Sequence, residues 1–146
     1  LMAHARQQIR EQLVTTLTGL TSTASRVYDT RIYNHAQLPS LTIYADRDTV
    51  DLEQSTRTHQ WHDLQLRVEA RAKAKDGVED AIDTICAEIE TAIYADTTLN
   101  AKVVKVRLEE TNIEYSVEQD QPIAMATLTL NAVYRIAPSD PTTLAN

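Results

Sequence analysis

Asp63-Leu64-Gln65-Leu66-Arg67-Val68-Glu69-Ala70-Arg71-Ala72 alternates apolar and polar residues without a break. Successive side chains of a strand point to opposite faces, so this pattern predicts a strand with one buried and one solvated or docked face. An antiparallel sheet covered on one side produces such alternation, whereas a parallel sheet buried on both faces reads as a continuous apolar run.

Working outward, Val78, Ala81, Ile82, Ile85, Cys86, Ile89, Ala92 and Ile93 recur at helical spacing and predict a helix to about Ala95. Asp76-Gly77-Val78-Glu79 reads as its start, with Asp76 as cap and Glu79 three residues on. Glu79, Asp80 and Asp83 then suit the positive end of the helix dipole. A second amphipathic helix is predicted from Ala3 to Leu20, with Ile9, Leu13, Leu17 and Leu20 on one side and Gly19 near its end. Short extended segments follow at Arg26-Val27-Tyr28 and Arg31-Ile32-Tyr33, and a strand at Leu41 to Ala45. Val103 to Leu108, Asn112 to Val117 and Ile123 to Ile136 read as strands, the last two forming a hairpin around Glu118 to Pro122. Asp46 to Gln60 reads as a long mobile loop and the tail from Ala137 as frayed. The expected fold is α+β, one domain over residues 1–137, with a mostly antiparallel sheet and two main helices packed on one face. Residues 138–146 form a flexible tail in this reading.

At 146 residues the chain suits one core that buries roughly 68–70% of its unfolded surface. Gly19 and Gly77 are its only glycines, which rules out glycine-rich nucleotide loops. Net charge is −7, divided as +2 over residues 1–75 and −9 over residues 76–146. Tight nucleic-acid binding, which needs clustered Lys and Arg, is disfavoured, while the asymmetry is compatible with head-to-tail self-contact. One cysteine, Cys86, excludes an internal disulfide and a multi-cysteine zinc site, and fits a reducing compartment. Met2 reads as the start. No run reaches the ~20 apolar residues of a membrane span, and the N-terminus lacks a secretory apolar core, so cytoplasmic synthesis is expected.

No catalytic constellation is legible. His59 and His62 are three apart at a strand entry, where they point to opposite faces and cannot share a metal, and a Trp61 anchor flanked by polar histidines is the plainer reading. Asp46, Asp48, Asp51 and Glu53 lack the glycine and spacing of a calcium loop, so a solvated loop or an intersubunit contact fits better. Glu109 and Glu110 are neighbours on a strand, facing opposite ways, and Cys86 lies on an apolar helix face. No cofactor is implied.

Met2-Ala3-His4-Ala5-Arg6-Gln7-Gln8-Ile9-Arg10-Glu11, with Thr15 to Leu20, Ser25 to Tyr28, Arg31 to Tyr33 and Leu38 to Tyr44, resembles the tail terminator family of long-tailed phages and prophages, similar to minor tail protein U of lambdoid phages. The resemblance is strongest over residues 2–45 and beyond them rests on element order. It implies a non-enzymatic virion tail protein, assembled in the host bacterial cytoplasm. Such a protein forms a homohexameric ring on the head-proximal end of the tail tube, stops polymerisation and offers a surface for head attachment. The implied partners are the chain itself, the major tail tube protein and a head-tail connector or neck protein, with DNA passing through the lumen without tight binding and no membrane. Another neck component, a head-closure or tail-joining protein, is the alternative, ahead of a small enzyme or ligand-binding domain. Loop and turn residues suit contacts that order on assembly, which makes Asp46, Asp48, Asp51, Glu53, Arg57, Glu118, Gln119, Asp120 and Gln121 the candidate partner contacts.

Overall fold

The computed structural model describes residues 3–29, 37–118 and 121–145; Met2, Arg31-Ile32-Tyr33, Gln119 and Asp120 lie outside them. Chain order is α1 (Ala5–Leu17), β1 (Val27–Tyr28), β2 (Ser40–Asp51), β3 (Gln60–Lys73), α2 (Val78–Ala95), β4 (Lys105–Glu118), β5 (Gln121–Ala137) and β6 (Asp140–Leu144). The strands form one sheet in the order β1-β2-β3-β5-β4, with β6 also paired to β5. All pairings are antiparallel except β1 with β2. The fold is α+β, a mostly antiparallel sheet with both helices on one face.

The alternation that predicts β3 is what places the core. Leu64, Leu66, Val68, Ala70 and Ala72 are buried, opposite Ala132, Leu130, Leu128, Ala126 and Ala124 of β5. Ile82, Ile85, Ile89 and Ile93 of α2 and Ile9, Leu13 and Leu17 of α1 complete the same cluster. Cys86 is buried with them, and burial first, then Glu90 and Asp83, pushes its thiol up to about 11. A thiol in that state is a packing residue at neutral pH. Glu88 of α2 accepts from the backbone N–H and the hydroxyl of Ser22, tying the turn after α1 to the second helix.

Four expectations are corrected. Asp46 to Asp51 is strand, not loop: β2 continues opposite Leu66 to Trp61, leaving only Leu52 to His59 as the connection. Residues 103–108 and 112–117 are parts of one strand, β4, because the ladder to β5 continues through an irregularity between Leu108 and Glu110. Asp76 does not cap α2. Gly77 occupies that position in the left-handed conformation (φ 72°), which glycine reaches without a Cβ clash, and no side chain caps the helix. Finally, the tail does not fray over Asp140–Leu144, since β6 pairs with β5 and Gln8 Nε2 donates to the Thr142 carbonyl at 2.6 Å.

After α2, Leu99, Asn100 and Ala101 all have positive φ (47°, 56° and 61°). Such a run is costly for residues other than glycine. Asp96 holds it in place, its carboxylate accepting from the Thr98 N–H and hydroxyl and from the Asn100 N–H. Those bonds lower the Asp96 pKa. Leu99, fully buried beneath this turn, anchors it to the core.

Candidate functional site

The candidate contact residues divide between the two ends of the sheet. Antiparallel pairing puts the β2–β3 connection beside the C-terminal end of β5 and the β4–β5 turn beside the end of β3. The two acidic sets therefore do not converge into one site.

At the first end, Asp46 is the bulged residue of β2 and lies 3.3 Å from Arg67 Nη2, a pair more than one third exposed and worth little to stability. Asp51 shapes the turn: its Oδ1 accepts from the Glu53 and Gln54 N–H groups, and its main-chain oxygen from the Ser55 hydroxyl. Glu53 and Arg57 are exposed on this short connection, next to Leu52 at 83% exposure.

Asp48 is different. Beyond the bulge it shares the core face with Leu64, and its carboxylate accepts from three groups inside the molecule. Arg6 of α1 donates at 2.8 Å, His62 Nδ1 lies at 2.8 Å, and the Tyr134 hydroxyl donates from β5. The His62 and Tyr134 rings stack 4.6 Å apart, and His62 Nε2 faces Gln60 Oε1 at 2.7 Å. Burial, then the bond to Asp48, drives the Tyr134 pKa far above its ordinary value, so it stays a donor. This cluster joins α1, β2, β3 and β5 and leaves the Asp48 side chain 10% exposed. His62 has the parity of Leu64, a signal in the sequence that it belongs on the core face beside Tyr134.

His4 closes the same corner. Its Nδ1 accepts from the Arg6 backbone N–H at 3.0 Å and caps α1, a role only the neutral ring can fill. Burial and then the Arg6 charge lower its pKa from 6.5. The unfolded chain therefore takes up this proton first, so the His4 contribution is intact above about pH 6.5 and is lost as pH falls below it. Urea midpoints at pH 7.5 and 5.5 should show His4→Asn, which caps at both, losing less stability on acidification than the parent; parallel losses would remove His4 as the cause.

At the other end, residues 109–117 of β4 are exposed on both faces, and among the described residues no strand covers the outer edge of β4. Ile113, Tyr115 and Val117 face the helix side but the helices leave them uncovered, with Tyr115 55% and Val117 75% exposed. Tyr115, Val117, Val78 and Pro122 line a groove of about 350 Å³ with Asp76 and Glu79 at its rim. Glu118 pairs with Gln121 in the ladder; the Glu118 side chain, Gln119 and Asp120 lie outside the described residues. The sequence places Ile113, Tyr115 and Val117 on one face, but their exposure depends on which part of the sheet the helices cover.

No described protein family matches the chain, and no curated protein does. Among solved structures it is similar to a chain in the virion of a native gene transfer agent particle, at 15% identity and a TM-score of 0.41, over 94% of each chain. Among the described residues no helix is long and apolar enough to cross a membrane.

Proposed function

We propose that this chain is a phage-type tail terminator, a structural protein that closes the head-proximal end of a tail tube as a hexameric ring. In that role it ends polymerisation and presents a surface to neck proteins. The observation that carries the reading is the β4 edge: Thr97 and Tyr94 take the Val106 and Leu108 N–H groups, but beyond Leu108 no described strand covers it, and Ile113, Tyr115 and Val117 stand exposed in a row. Natural sheets usually shorten, charge or cover an edge, because exposed N–H and C=O groups recruit other chains. β4 carries a bulge and charged residues such as Glu109, Glu110 and Glu114, but the exposed apolar row Ile113, Tyr115 and Val117 on its other face fits a subunit whose neighbours cover it. The wording of residues 2–45 supports the choice of family. In this reading Asp51, Glu53 and Arg57 remain partner contacts, together with Gln121 at the β4–β5 turn. DNA traverses the ring without tight binding, as a chain of net charge −7 would favour.

Electron microscopy of tails assembled with and without the protein tests this. Its absence should give tails of uncontrolled length without heads, and its presence a sixfold ring at one end. Tails of normal length that lack only the head attachment would overturn termination in favour of a neck component.

A further inference from the structure

The outer edge of β4 is closed over its first part and open over the rest. The Val106 N–H bonds the Thr97 carbonyl at 2.8 Å and the Leu108 N–H bonds the Tyr94 hydroxyl at 2.9 Å, so both residues turn their backbone groups away from β5. Pairs in an antiparallel ladder alternate between bonded and unbonded, and the bulge at Glu109 shifts the count by one. The outward set therefore continues at Thr111, Ile113, Tyr115 and Val117. Pro122 fixes the count at the far end: it stands opposite Val117, has no N–H, and its carbonyl accepts from Ala74 on the β3 side, so this pair is an unbonded one. Among the described residues nothing meets these outward N–H and C=O groups, over roughly 20 Å of strand.

The two faces beside the open edge differ in chemistry. The helix side shows Ile113, Tyr115 and Val117, continued by the groove against Val78 and Pro122. The opposite face shows Glu110 and Glu114, with Glu109 at the bulge, and the sequence has no Lys or Arg from Leu108 to Tyr134. None of these three glutamates has an ion pair among the described residues. Behind them β5 offers Thr129, Thr127 and Met125, and the arginines of β3 beyond are turned to other acids: Arg67 lies 3.3 Å from Asp46 and Arg71 3.8 Å from Glu69. Lys73, at the end of β3, and Lys75 face a larger acidic set, since Asp76 and Glu79 share the groove with Lys75.

We infer that this edge takes up an extended segment of another protein as an added strand, about seven residues long, in which apolar side chains alternate with Lys or Arg. Backbone bonds to Thr111, Ile113, Tyr115 and Val117 hold the segment. Its apolar residues lie beside Tyr115 and Val117, and its cations beside Glu110 and Glu114. Tyr94 sets the limit of the site, because its hydroxyl already occupies the Leu108 N–H. A second copy is disfavoured as the occupant: β4 against β4 would join two strands with Glu109, Glu110 and Glu114 and no cation beyond Arg107, and β6 brings Asp140 and no Lys or Arg. The inference rests on the assembly reading only for the source of the segment, a tail tube or neck protein; the segment's chemistry follows from the edge.

The probe is a blocked synthetic peptide, Thr-Lys-Val-Lys-Val-Lys-Val-Lys-Thr, with fluorescence anisotropy to measure binding and amide hydrogen exchange to locate it. Binding at low salt should protect the Thr111, Ile113, Tyr115 and Val117 amides and should weaken as salt rises. A peptide with Glu in place of every Lys, and the protein variant Glu110→Lys with Glu114→Lys, should each weaken binding at least ~10-fold. Methylating the amides of the valines, or those of the lysines, removes the donors along one side of the peptide, so one of the two methylated peptides should lose binding and the other keep it. Ile113→Pro, which removes an outward N–H and leaves the ladder to β5, should do the same from the protein's side if it melts like the parent. Binding without protection of those amides, equal binding by the two methylated peptides, or indifference to Glu110→Lys with Glu114→Lys would each overturn the inference. Protection of the same amides in the protein alone as its concentration rises would make a second copy the occupant and overturn it as well. Peptide binding lost in Ile113→Pro while its tails assemble normally would keep the docking site and sink the tail as its source. Tails of uncontrolled length without the protein, together with an edge that binds no peptide, would keep termination and sink strand addition.

Discussion

Ile85→Asp should destabilise the chain by several kcal/mol, enough to remove a large fraction of the ~5–15 kcal/mol that holds a domain of this kind together. Ile85 is 2% exposed on the inward face of α2, in one cluster with Leu66, Val68, Ile82, Ile89, Leu128 and Leu130. A carboxylate there would ionise only against the cost of burial or be kept neutral by it, and either way the isoleucine packing is lost. The control is Thr84→Asp on the same turn. Thr84 is exposed, so the same new charge should cost no more than about 0.5 kcal/mol, mostly repulsion from nearby Asp80 and Glu88. Urea unfolding of the two variants measures the difference. Equal midpoints would mean that α2 does not pack through Ile85.

The elements that could be read from the sequence are those whose parity never changes. β3 and β5 keep one apolar face from end to end, and α2 keeps one helical stripe, so their pattern and their burial coincide. The places where the pattern breaks off in β2 and β4, at Asp46 and after Leu108, are bulges rather than strand ends. In β2 the core face passes from Leu41, Ile43 and Ala45 to Asp48 and Val50, the extra residue Asp46 absorbing the change of parity. In β4 it passes from Val106 and Leu108 to Thr111, Ile113 and Tyr115 across Glu109. A one-residue insertion inverts every later side chain, so one continuous strand reads as a strand followed by something else.

The candidate site was less legible for a related reason. Asp48 sits in a charged run, Asp46 to Asp51, that resembles a solvated loop, yet its partners Arg6, His62 and Tyr134 are 42, 14 and 86 residues away. No local pattern reports contacts of that range; only the shared parity of His62, Leu64, Ala132 and Tyr134 hints at a common face. The charge asymmetry, by contrast, was visible from the start. Topology decides where those charges fall: β4 and β5 bring Lys105, Arg107 and Arg135 to the end where Asp51 and Asp63 also lie, while the start of α2 carries Glu79 and Asp80 toward the other.

Asp48→Ala should cost about 3 kcal/mol, and the sum can be built from the groups it strands. Arg6 is 41% exposed and can turn to water, so its loss counts little. His62 and the Tyr134 hydroxyl are buried; each loses a bond to a charged acceptor, worth about 1.5–3 kcal/mol, and pairing with each other across 3.2 Å recovers part of it. For a domain of this size that is roughly a 6–12 °C fall in Tm. Asp48→Asn keeps an acceptor oxygen and should lose less, and Tyr134→Phe removes a single donor and should lose about 1 kcal/mol. Because Asp48 and Tyr134 bond to each other, the double variant Asp48→Asn, Tyr134→Phe should be milder than the two losses added. Unchanged stability in Asp48→Ala, measured by urea unfolding at neutral pH, would mean the cluster does not form. The result also decides how tail phenotypes are read. Asp48→Lys would place a cation beside Arg6 and His62 and abolish assembly by unfolding the subunit. Glu53→Lys with Arg57→Glu alters only exposed side chains on the neighbouring turn, and a tail defect from that pair in a protein that melts like the parent would report a lost partner contact.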